Sequence, residues 1–483
     1  MFVGRLLLLA LVGCDGPGKI TVGDDTAPAD TDTDTDADTD ADTDTDTDTD
    51  TDTDTIPAED NFTDLAWSLH PEVESLVYVT WTQAAPATVH VEYSFDAGEW
   101  MSSPPFDAAA GPNQQLVAGI PFATTAEWRV VSGGGTFVDG TTITTGDIPR
   151  NFPMPDVETG DTSKWIAGGN YLLSSVNART GGWTQGNYYT FIMDREGRLV
   201  WAHLADDMAW TLFAQVALSG DHILWDAATY WADFDEGANS QIHRWYLDEE
   251  IEVIDTPGLH HAWVQMPDGG LVWGSQDHGG GEALVERGPS ETGETILWTC
   301  RSNWEGSEDG RGCESNGIFY SPERDTFLYS FYTNNSLVEL DHATGESLWW
   351  AGDVAGGYDF VPEDSQFAWQ HGVSWTDAGT LLVSTVYYSG DRRSTAAVEY
   401  EVDKDAGTLT PMWVFDPGVE ADTNGDAWRL DNGNTLHVVG SSGNLYEVGP
   451  DSEVLWHLDF GGTHLLGRGE FIEDLYALVK PRE

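Results

Sequence analysis

Six segments of the chain open with residues that could carry out chemistry if the fold brings them together. Four of the openings lie at residues 261, 316, 371 and 426, a regular spacing of 55 residues, and each leads through apolar residues and a turn to a leucine. Segments at 214 and 468 repeat the pattern less completely. We call these residues the openers: Ala214, His261, Asn316, His371, Asp426 and Arg468. Imidazole, guanidinium, amide and carboxyl groups are the usual nucleophiles, proton carriers and oxyanion holders of enzymes.

The elements that must position the openers are predicted to be β-strands. Each opener begins an apolar strand, which a turn connects to a second strand and then a third. The units often end in a turn leading into tryptophan, as at Trp201, Trp298, Trp349 and Trp456. Strands grouped in fours, at a period of roughly 40–55 residues, are typical of β-propeller blades. The sequence therefore predicts an all-β protein with a six-bladed β-propeller over residues 165–478.

The innermost strands of a propeller line its channel, so the openers are expected to meet at one mouth. Residues 169–203 contain strands but no opener. We expect them to be the outer strands of a blade completed by the C-terminal strand, because closing the ring removes exposed edges. Two interpretations of the mouth stay open: a pocket of convergent polar groups that acts on a ligand, or a polar channel lining that only binds water.

The first 60 residues indicate export. Arg5 precedes a short apolar run that ends at Cys14, and Leu11 to Cys14 resembles a bacterial lipobox. The resemblance implies that residues 1–14 are a lipoprotein signal peptide, that Cys14 is lipidated, and that the protein is membrane-anchored and faces the periplasm or cell surface. The alternative is an ordinary signal peptide with an incidental cysteine. Residues 15–60 are predicted to be a disordered acidic linker rich in Thr and Asp.

Residues 61–147 are predicted to form a separate β-module. Short alternating strands, such as residues 76–81 and 87–93, are separated by turns of Gly, Pro and Asp. This spacing resembles a fibronectin type III β-sandwich. Residues 149–155 are expected to form the boundary with the propeller.

The charge and the cysteines limit the partners and the compartment. The net charge of −63 excludes nucleic-acid binding, which needs a basic surface. The negative charge either keeps the protein soluble or, alternatively, serves to bind cations. An exported compartment is oxidising, so a disulfide between Cys300 and Cys313 is predicted.

The propeller region resembles the bacterial arylsulfate sulfotransferase family. The matching residues are Leu259-His260-His261 before a Pro-Asp-Gly turn, Trp369-Gln370-His371, Asn316 with its following strand, residues 425–436 including Asp426, and the region of Arg468. The resemblance implies transfer of a sulfuryl group from an aryl sulfate to a phenol through a sulfohistidine, with no cofactor and no metal. By the same match, His371 is the nucleophile and His261 or His260 a second pocket histidine. Asn316 is implied to bind a sulfuryl oxygen.

Two positions depart from the family pattern. Glu314 replaces a histidine and Tyr332 replaces an arginine, so two positive donors are absent. We expect Arg468 to compensate and Tyr332 to donate a hydrogen bond. The departures favour a second hypothesis, a non-catalytic surface lipoprotein whose propeller binds a ligand or partner. A third, a quinone-binding propeller, is suggested by the Thr-Gly-Glu…Trp segment at 344–349, although such enzymes usually have eight blades and a metal.

Overall fold

A computed structural model describes residues 61–481, except for residues 182–185, 206–208, 230–239, 277–281, 305–312 and 424. The described chain consists mainly of β-strands, which confirms the predicted all-β class. The predicted signal peptide at 1–14, Cys14 and the linker at 15–60 lie outside the described residues. Within the described ranges, no helix combines the length and the apolar composition that crossing a membrane requires.

The first module contains nine strands in two antiparallel sheets around one apolar core. The strands are β1 (Phe62–Leu69), β2 (Val77–Gln83), β3 (Ala87–Phe95), β4 (Met101–Ser102), β5 (Phe106–Ala108), β6 (Gly111–Val117), β7 (Thr125–Ser132), β8 (Phe137–Asp139) and β9 (Ile143–Thr144). One sheet has the order β1-β2-β6, and the other has β4-β3-β7-β8 with β5 on β3 and β9 on β7. Period-two alternation in β2 directs Val77, Val79 and Trp81 into the core.

The rest of the described chain forms six sheets, which we number I to VI. Sheet I contains β11 (Tyr171–Thr180), β12 (Tyr188–Asp194), β13 (Leu199–Leu204), β35 (His464–Leu466) and β36 (Glu470–Ile472). Sheet II contains β14 (Ala214–Val216), β15 (Ile223–Ala227), β16 (Gln241–Tyr246) and β17 (Glu249–Asp255). Sheet III contains β18 (Leu259–Gln265), β19 (Leu271–Ser275), β20 (Ala283–Arg287) and β21 (Thr295–Thr299).

The remaining three sheets repeat this pattern of hairpins. Sheet IV contains β22 (Ser315–Ser321), β23 (Thr326–Phe331), β24 (Ser336–Asp341) and β25 (Ser347–Ala351). Sheet V contains β26 (Asp359–Phe360), β27 (His371–Trp375), β28 (Leu381–Ser389), β29 (Arg392–Asp403) and β30 (Thr408–Phe415). Sheet VI contains β10 (Asp156–Thr159), β31 (Asp426–Arg429), β32 (Thr435–Val439), β33 (Asn444–Val448) and β34 (Val454–Asp459).

Helices in the described chain are single turns. There is one α-helix, α1 (Cys300–Asn303), and there are 3₁₀ turns at Thr162–Lys164, Glu363–Ser365, Gly440–Ser442 and Leu475–Leu478. Thr299 caps α1, because its side-chain oxygen accepts from the backbone N–H of Ser302.

Sheet I is built from distant parts of the chain. Its strand β11 pairs with β12 on one side and with β35 and β36 on the other. This confirms the expectation that residues 169–203 supply outer strands to a sheet completed by the C-terminal strand. A second strand, β10, precedes the predicted start of the propeller region at residue 165, and it pairs with β34 of sheet VI. The sheet region therefore begins earlier than the sequence pattern indicates.

Four glutamates, each on the third strand of its sheet, bind a basic group of the following sheet. The pairs are Glu286 with His342 at 3.1 Å, Glu339 with Lys404 at 2.7 Å, Glu399 with Arg429, and Glu447 with Arg195 at 2.8 Å. They link sheets III to IV, IV to V, V to VI and VI back to I. We call this set the glutamate belt, and its last pair joins the sixth sheet to the first.

The predicted disulfide between Cys300 and Cys313 is present. Its two Cα atoms are 6.2 Å apart, within the range that a disulfide spans. Both cysteines are buried, in a cluster with Trp298 and Phe331. The bond therefore fixes the start of β22 against the end of β21.

Replacing both cysteines by serine should lower the free energy of unfolding by about 2–3 kcal/mol, because the bond closes a short loop in the unfolded chain. Urea unfolding of the variant and of the oxidised wild type would measure this difference. Equal unfolding midpoints in the two proteins would contradict it. Reduced wild type is the matched control, since it should behave like the variant.

Candidate functional site

Five of the six openers lie on a strand at the edge of a sheet. Ala214, His371 and Asp426 are the first residues of β14, β27 and β31. His261 and Asn316 lie within β18 and β22, and Arg468 lies between β35 and β36. The equal spacing of His261, Asn316, His371 and Asp426 thus corresponds to similar positions on the edge strands of sheets III to VI. We call the end of the sheets where these residues lie the opener end.

Contacts at the opener end lead from each sheet to the next and return to the first. From sheet II to sheet V the links are Phe213 stacked on His261, His260 Nδ1 hydrogen-bonded to the carbonyl oxygen of Ser315, and Asn316 Nδ2 hydrogen-bonded to the carbonyl oxygen of Gln370. From sheet V to sheet VI, Gly372 packs on Asp426. Asp426 then pairs with Arg468 of sheet I, whose backbone N–H donates to the carbonyl oxygen of Leu212, just before sheet II. Four of the six openers, His261, Asn316, Asp426 and Arg468, take part in these links through their own atoms, and His371 lies between two residues that do, Gln370 and Gly372. Ala214 contributes no polar side chain.

Three histidines on the inner strands β18 and β27 form a buried cluster. The ring centres of His260 and His261 are 4.1 Å apart, and those of His261 and His371 are 6.4 Å apart with nearly parallel planes. Burial lowers the pKa of His371 to about 4 and that of His260 to about 3. Burial, with the nearby histidines, also holds the pKa of His261 well below its usual value. All three rings are therefore neutral near neutral pH.

The tautomer of His371 is fixed by its backbone. Its Nδ1 is 3.1 Å from the carbonyl oxygen of Trp369, and a carbonyl oxygen only accepts hydrogen bonds. Nδ1 must therefore carry the proton, so Nε2 carries the lone pair. Trp369 has φ of +51°, an unfavourable conformation for a bulky residue that costs on the order of 1–3 kcal/mol. The residue that holds the ring of His371 in this tautomer is therefore itself in a strained conformation.

Gln370 anchors the strand that His371 begins. Its side-chain amide donates to the hydroxyl of Ser330 and to the carbonyl oxygens of Phe331 and Ser336, at 3.0–3.1 Å. Asn316 completes the anchor, because its Nδ2 donates to the carbonyl oxygen of Gln370. Sheet IV thus holds the residue directly before His371 in place.

The contacts of Asn316 differ from the expected role as a sulfuryl-binding group. Its Nδ2 is used by Gln370, and its Oδ1 accepts from the hydroxyl of Ser330 at 3.0 Å. Both ends of the amide are engaged within the protein. In this structure Asn316 therefore holds the start of β27 against sheet IV, and one of its two N–H donors is used for that contact.

Arg468 is likewise committed to a protein partner. Its Nε lies 3.4 Å from Oδ2 of Asp426, and its guanidinium carbon is 3.6 Å from the ring centre of Trp428. The same carboxylate oxygen accepts from the indole N–H of Trp428 at 2.5 Å. Burial lowers the pKa of Arg468 and raises that of Asp426, but the pair together carries no net charge. We expected Arg468 to replace the positive charges that are absent at Glu314 and Tyr332. Its pairing with Asp426 makes it less suited to that role.

Tyr332 and Glu314, the two departures from the family pattern, contact one another. The Tyr332 hydroxyl donates to Oε2 of Glu314. The Tyr332 ring lies 6.4 Å from that of His371 with an interplanar angle of 14°, and 6.4 Å from that of His260. The disulfide reaches this pair, because Cys313 directly precedes Glu314. The pair places an aromatic face and a carboxylate beside the histidine cluster.

One set of functional positions was missed in the sequence. In five sheets a small polar residue on the strand beside the innermost one supports the opener end. Ser175 bonds to Thr211, Asp226 to the backbone N–H groups of Leu212 and Phe213, and Ser275 to Pro257. Ser330 bonds to Asn316, and Ser384 bonds to His437. A signal was available for three of them, because Asp226, Ser330 and Ser384 directly follow the apolar runs Ile-Leu-Trp, Phe-Leu-Tyr and Leu-Leu-Val.

Comparisons with known proteins find structures of similar architecture and no relative in sequence. No protein-family model and no curated protein sequence matches the chain. TolB from Acinetobacter baumannii aligns with 73% of this chain and 80% of its own at 12% identity and a TM-score of 0.42. A protein of unknown function from Bacteroides caccae aligns over 62% and 97% at 14% identity and a TM-score of 0.40. A streptogramin B lyase aligns over 63% and 87% at 11% identity and a TM-score of 0.38.

Proposed function

We propose that this chain is an enzyme of the arylsulfate sulfotransferase type, built on a six-bladed β-propeller whose blades are sheets I to VI. The propeller is supported by six sheets of hairpin-connected strands, by the cyclic links at the opener end, and by the return of the C-terminal strands to sheet I. The N-terminal two-sheet module supports the proposal, since members of that family carry a β-sandwich there.

The observation that carries the proposal is the state of His371. A nucleophilic imidazole must be neutral, and its attacking nitrogen must hold a lone pair. Burial keeps the ring neutral, and the Trp369 carbonyl oxygen assigns the proton to Nδ1. The same carbonyl oxygen would stabilise the positive charge that the ring acquires when Nε2 forms a bond. The fixed ring is thus suited to covalent group transfer.

The reaction has two steps. In the first, the Nε2 lone pair of His371 attacks sulfur, the bond from sulfur to the aryl oxygen breaks, and the phenolate leaves with its electron pair. The imidazolium and the attached sulfonate then have opposite charges. In the second step the oxygen of an acceptor phenol attacks sulfur, the bond from sulfur to nitrogen breaks, and His371 is restored. The phenolic proton passes to the Glu314 carboxylate and on to the departed phenolate, so the charge balances.

The surrounding side chains supply the remaining roles. His261 lies beside His371, and neither ring nitrogen of His261 has a hydrogen-bond partner among the described residues. One of these nitrogens is an N–H that can donate to a sulfuryl or phenolic oxygen. Tyr332 and Trp369 offer aromatic surface for the aryl ring, and Trp369 is 52% exposed.

A second candidate is a ligand-binding propeller without catalysis. It is favoured by the pairing of Arg468 with Asp426 and by the carboxylate of Glu314 at the cluster. Incubating the purified protein with a chromogenic aryl sulfate and a phenol separates the two. Formation of the new aryl sulfate supports the enzyme, whereas its absence across a panel of donors supports the binding protein.

Export and lipidation of Cys14 complete the proposal. The apolar run that ends at this cysteine supports them. Mass spectrometry of the N-terminal peptide from the membrane fraction tests this part, and an unmodified Cys14 would contradict it.

The rate of transfer should be independent of pH until His371 gains a proton. Because the pKa of His371 is lowered to about 4, kcat/KM should stay constant as pH falls through about 6.5, where an ordinary histidine would titrate. Activity should then fall near pH 4, since protonation removes the lone pair of Nε2. Initial rates with a chromogenic aryl sulfate would measure this profile.

The pH profile needs a folding control. Buried neutral histidines take up fewer protons than histidines of the unfolded chain, so stability also declines as pH falls below about 6.5. Tryptophan fluorescence at each pH shows whether the fold persists. An acid limb near the pKa of a free histidine, with the fold intact, would contradict the assignment.

A further inference from the structure

The proposed reaction requires a cation for an anionic substrate, and Nε of Arg468, which belongs to the guanidinium edge that binds oxyanions, already faces Asp426. We propose that Arg393 and Tyr388, on the hairpin of β28 and β29, form a recognition site for the anionic group and the ring of an aryl sulfate. This inference rests on the proposed function and adds a binding site to it. The site lies on the face of this hairpin that begins beside His371 and runs outward from it, and we call this face the wall.

The wall begins at a narrow cleft beside His371. The cleft is lined by Trp369, His371, Ser384, Val386, Thr395, Ala421, Asp422 and Thr423, and its volume is about 10 Å³. That is room for about one water molecule. A substrate must therefore approach Nε2 from the opener end, along the outer part of the wall.

The register of the hairpin places Arg393 and Tyr388 on this wall. Val386 pairs with Thr395, and Tyr388 pairs with Arg393. Directly paired residues of an antiparallel hairpin share a face, and alternate residues along a strand do so as well. Because Val386 and Thr395 line the cleft, Tyr388 and Arg393 continue the same face outward. Tyr388 is 64% exposed there.

Arg393 is oriented toward the cleft by two carboxylates. Its Nη1 contacts Oε1 of Glu420 and lies 3.8 Å from Oδ1 of Asp422, and Asp422 also lines the cleft. Both contacts use Nη1. The edge formed by Nε and Nη2 is the part of a guanidinium that binds two oxygens of a planar or tetrahedral oxyanion at once.

The charge of the chain makes this arginine distinctive. The net charge is −63 with only 20 basic residues, and such a surface repels an anionic substrate. Arg392 and Arg393 are the one place in the sequence where two basic residues are adjacent. Both guanidinium groups lie in the hairpin of the sheet that carries His371, and each is paired with a carboxylate through a terminal nitrogen.

The hairpin provides its own matched control. Arg392 has the same charge but, by strand alternation, lies on the opposite face, where its Nη2 is 2.5 Å from Oδ2 of Asp416. Arg393→Ala and Arg392→Ala therefore remove the same charge from neighbouring positions. Both contacts are surface ion pairs worth at most about 1 kcal/mol, so both variants should fold.

The test measures binding of an aryl sulfonate, in which sulfur is bonded directly to the ring carbon, so that there is no phenolate leaving group and no transfer takes place. Isothermal titration calorimetry or tryptophan fluorescence gives Kd for 4-nitrobenzenesulfonate with the full chain. We expect Arg393→Ala to raise Kd at least about tenfold and Arg392→Ala to raise it less than about twofold, as loss of a charge-assisted hydrogen bond predicts. Arg393→Lys should fall between them.

Each outcome decides the proposal separately from the reaction. Equal weakening by both variants would show a general charge effect and overturn the site, as would an unchanged Kd for Arg393→Ala or no binding by wild type. Binding that depends on Arg393 without any turnover would support the site and reject sulfuryl transfer. Turnover with an unchanged KM in Arg393→Ala would support transfer and reject the site.

Discussion

His371→Ala should abolish sulfuryl transfer, lowering kcat by several orders of magnitude, as removal of a covalent nucleophile does. The reason is specific to this ring. It is neutral because it is buried, and Nε2 holds the lone pair because Nδ1 donates to Trp369. Steady-state kinetics with a chromogenic aryl sulfate measure the loss. Exposing wild type to the donor without an acceptor should also add one sulfuryl group to the peptide that contains His371.

The matched control is His342→Ala. His342 lies on the outer part of sheet IV, between Glu286 and Asp325, so its loss removes a histidine without touching the cluster. We expect this variant to keep the wild-type rate and the same labelled peptide. If wild type turns over the donor and His371→Ala retains most of that rate, another residue is the nucleophile.

Arg195→Ala should lower the free energy of unfolding by about 3–5 kcal/mol, the cost of leaving a buried charge without its partner. The guanidinium is paired with Glu447 at 2.8 Å, and it lies 3.9 Å from the ring centre of Phe471. It is also the member of the glutamate belt that joins sheet VI to sheet I. Urea unfolding followed by tryptophan fluorescence would measure the change.

Lys404→Ala is the control for this measurement. Lys404 pairs with Glu339 in the same belt, but its side chain is about half exposed, and the buried Glu339 carboxylate keeps its hydrogen bonds from Thr326 and Trp349. The loss of Lys404 should therefore cost about 1 kcal/mol or less. Equal costs for the two variants would show that the buried Arg195 pair contributes no more to stability than the half-exposed Lys404 pair.

The sequence predicted the arrangement of strands better than the contacts of their side chains. Openers 55 residues apart identified equivalent strands, because each repeat buries the same pattern of side chains. The partner of Asn316 could not be predicted in this way. It is a backbone carbonyl oxygen 54 residues away, whose position depends on the φ of Trp369 and on the anchor made by Gln370. Such contacts exist only after the sheets have packed.

The pairing of Arg468 with Asp426 has a similar cause. Both were recognised as openers, yet sequence cannot show that they are neighbours, since Arg468 belongs to the sheet that the chain completes last. The strand β10 was missed for a related reason. It is only four residues long, and it pairs with β34, almost 300 residues further along the chain.

Sheet I has a consequence for how the protein acquires its shape. Its strand β11 needs partners from residues 464–472, and these are made long after β11 during synthesis. No shorter nascent chain can complete the first sheet, so an exposed edge persists until the last strands arrive, and such edges are prone to aggregation. Folding that begins only after residues 464–472 have been made avoids this exposed edge, because β11 then meets all of its partner strands at once.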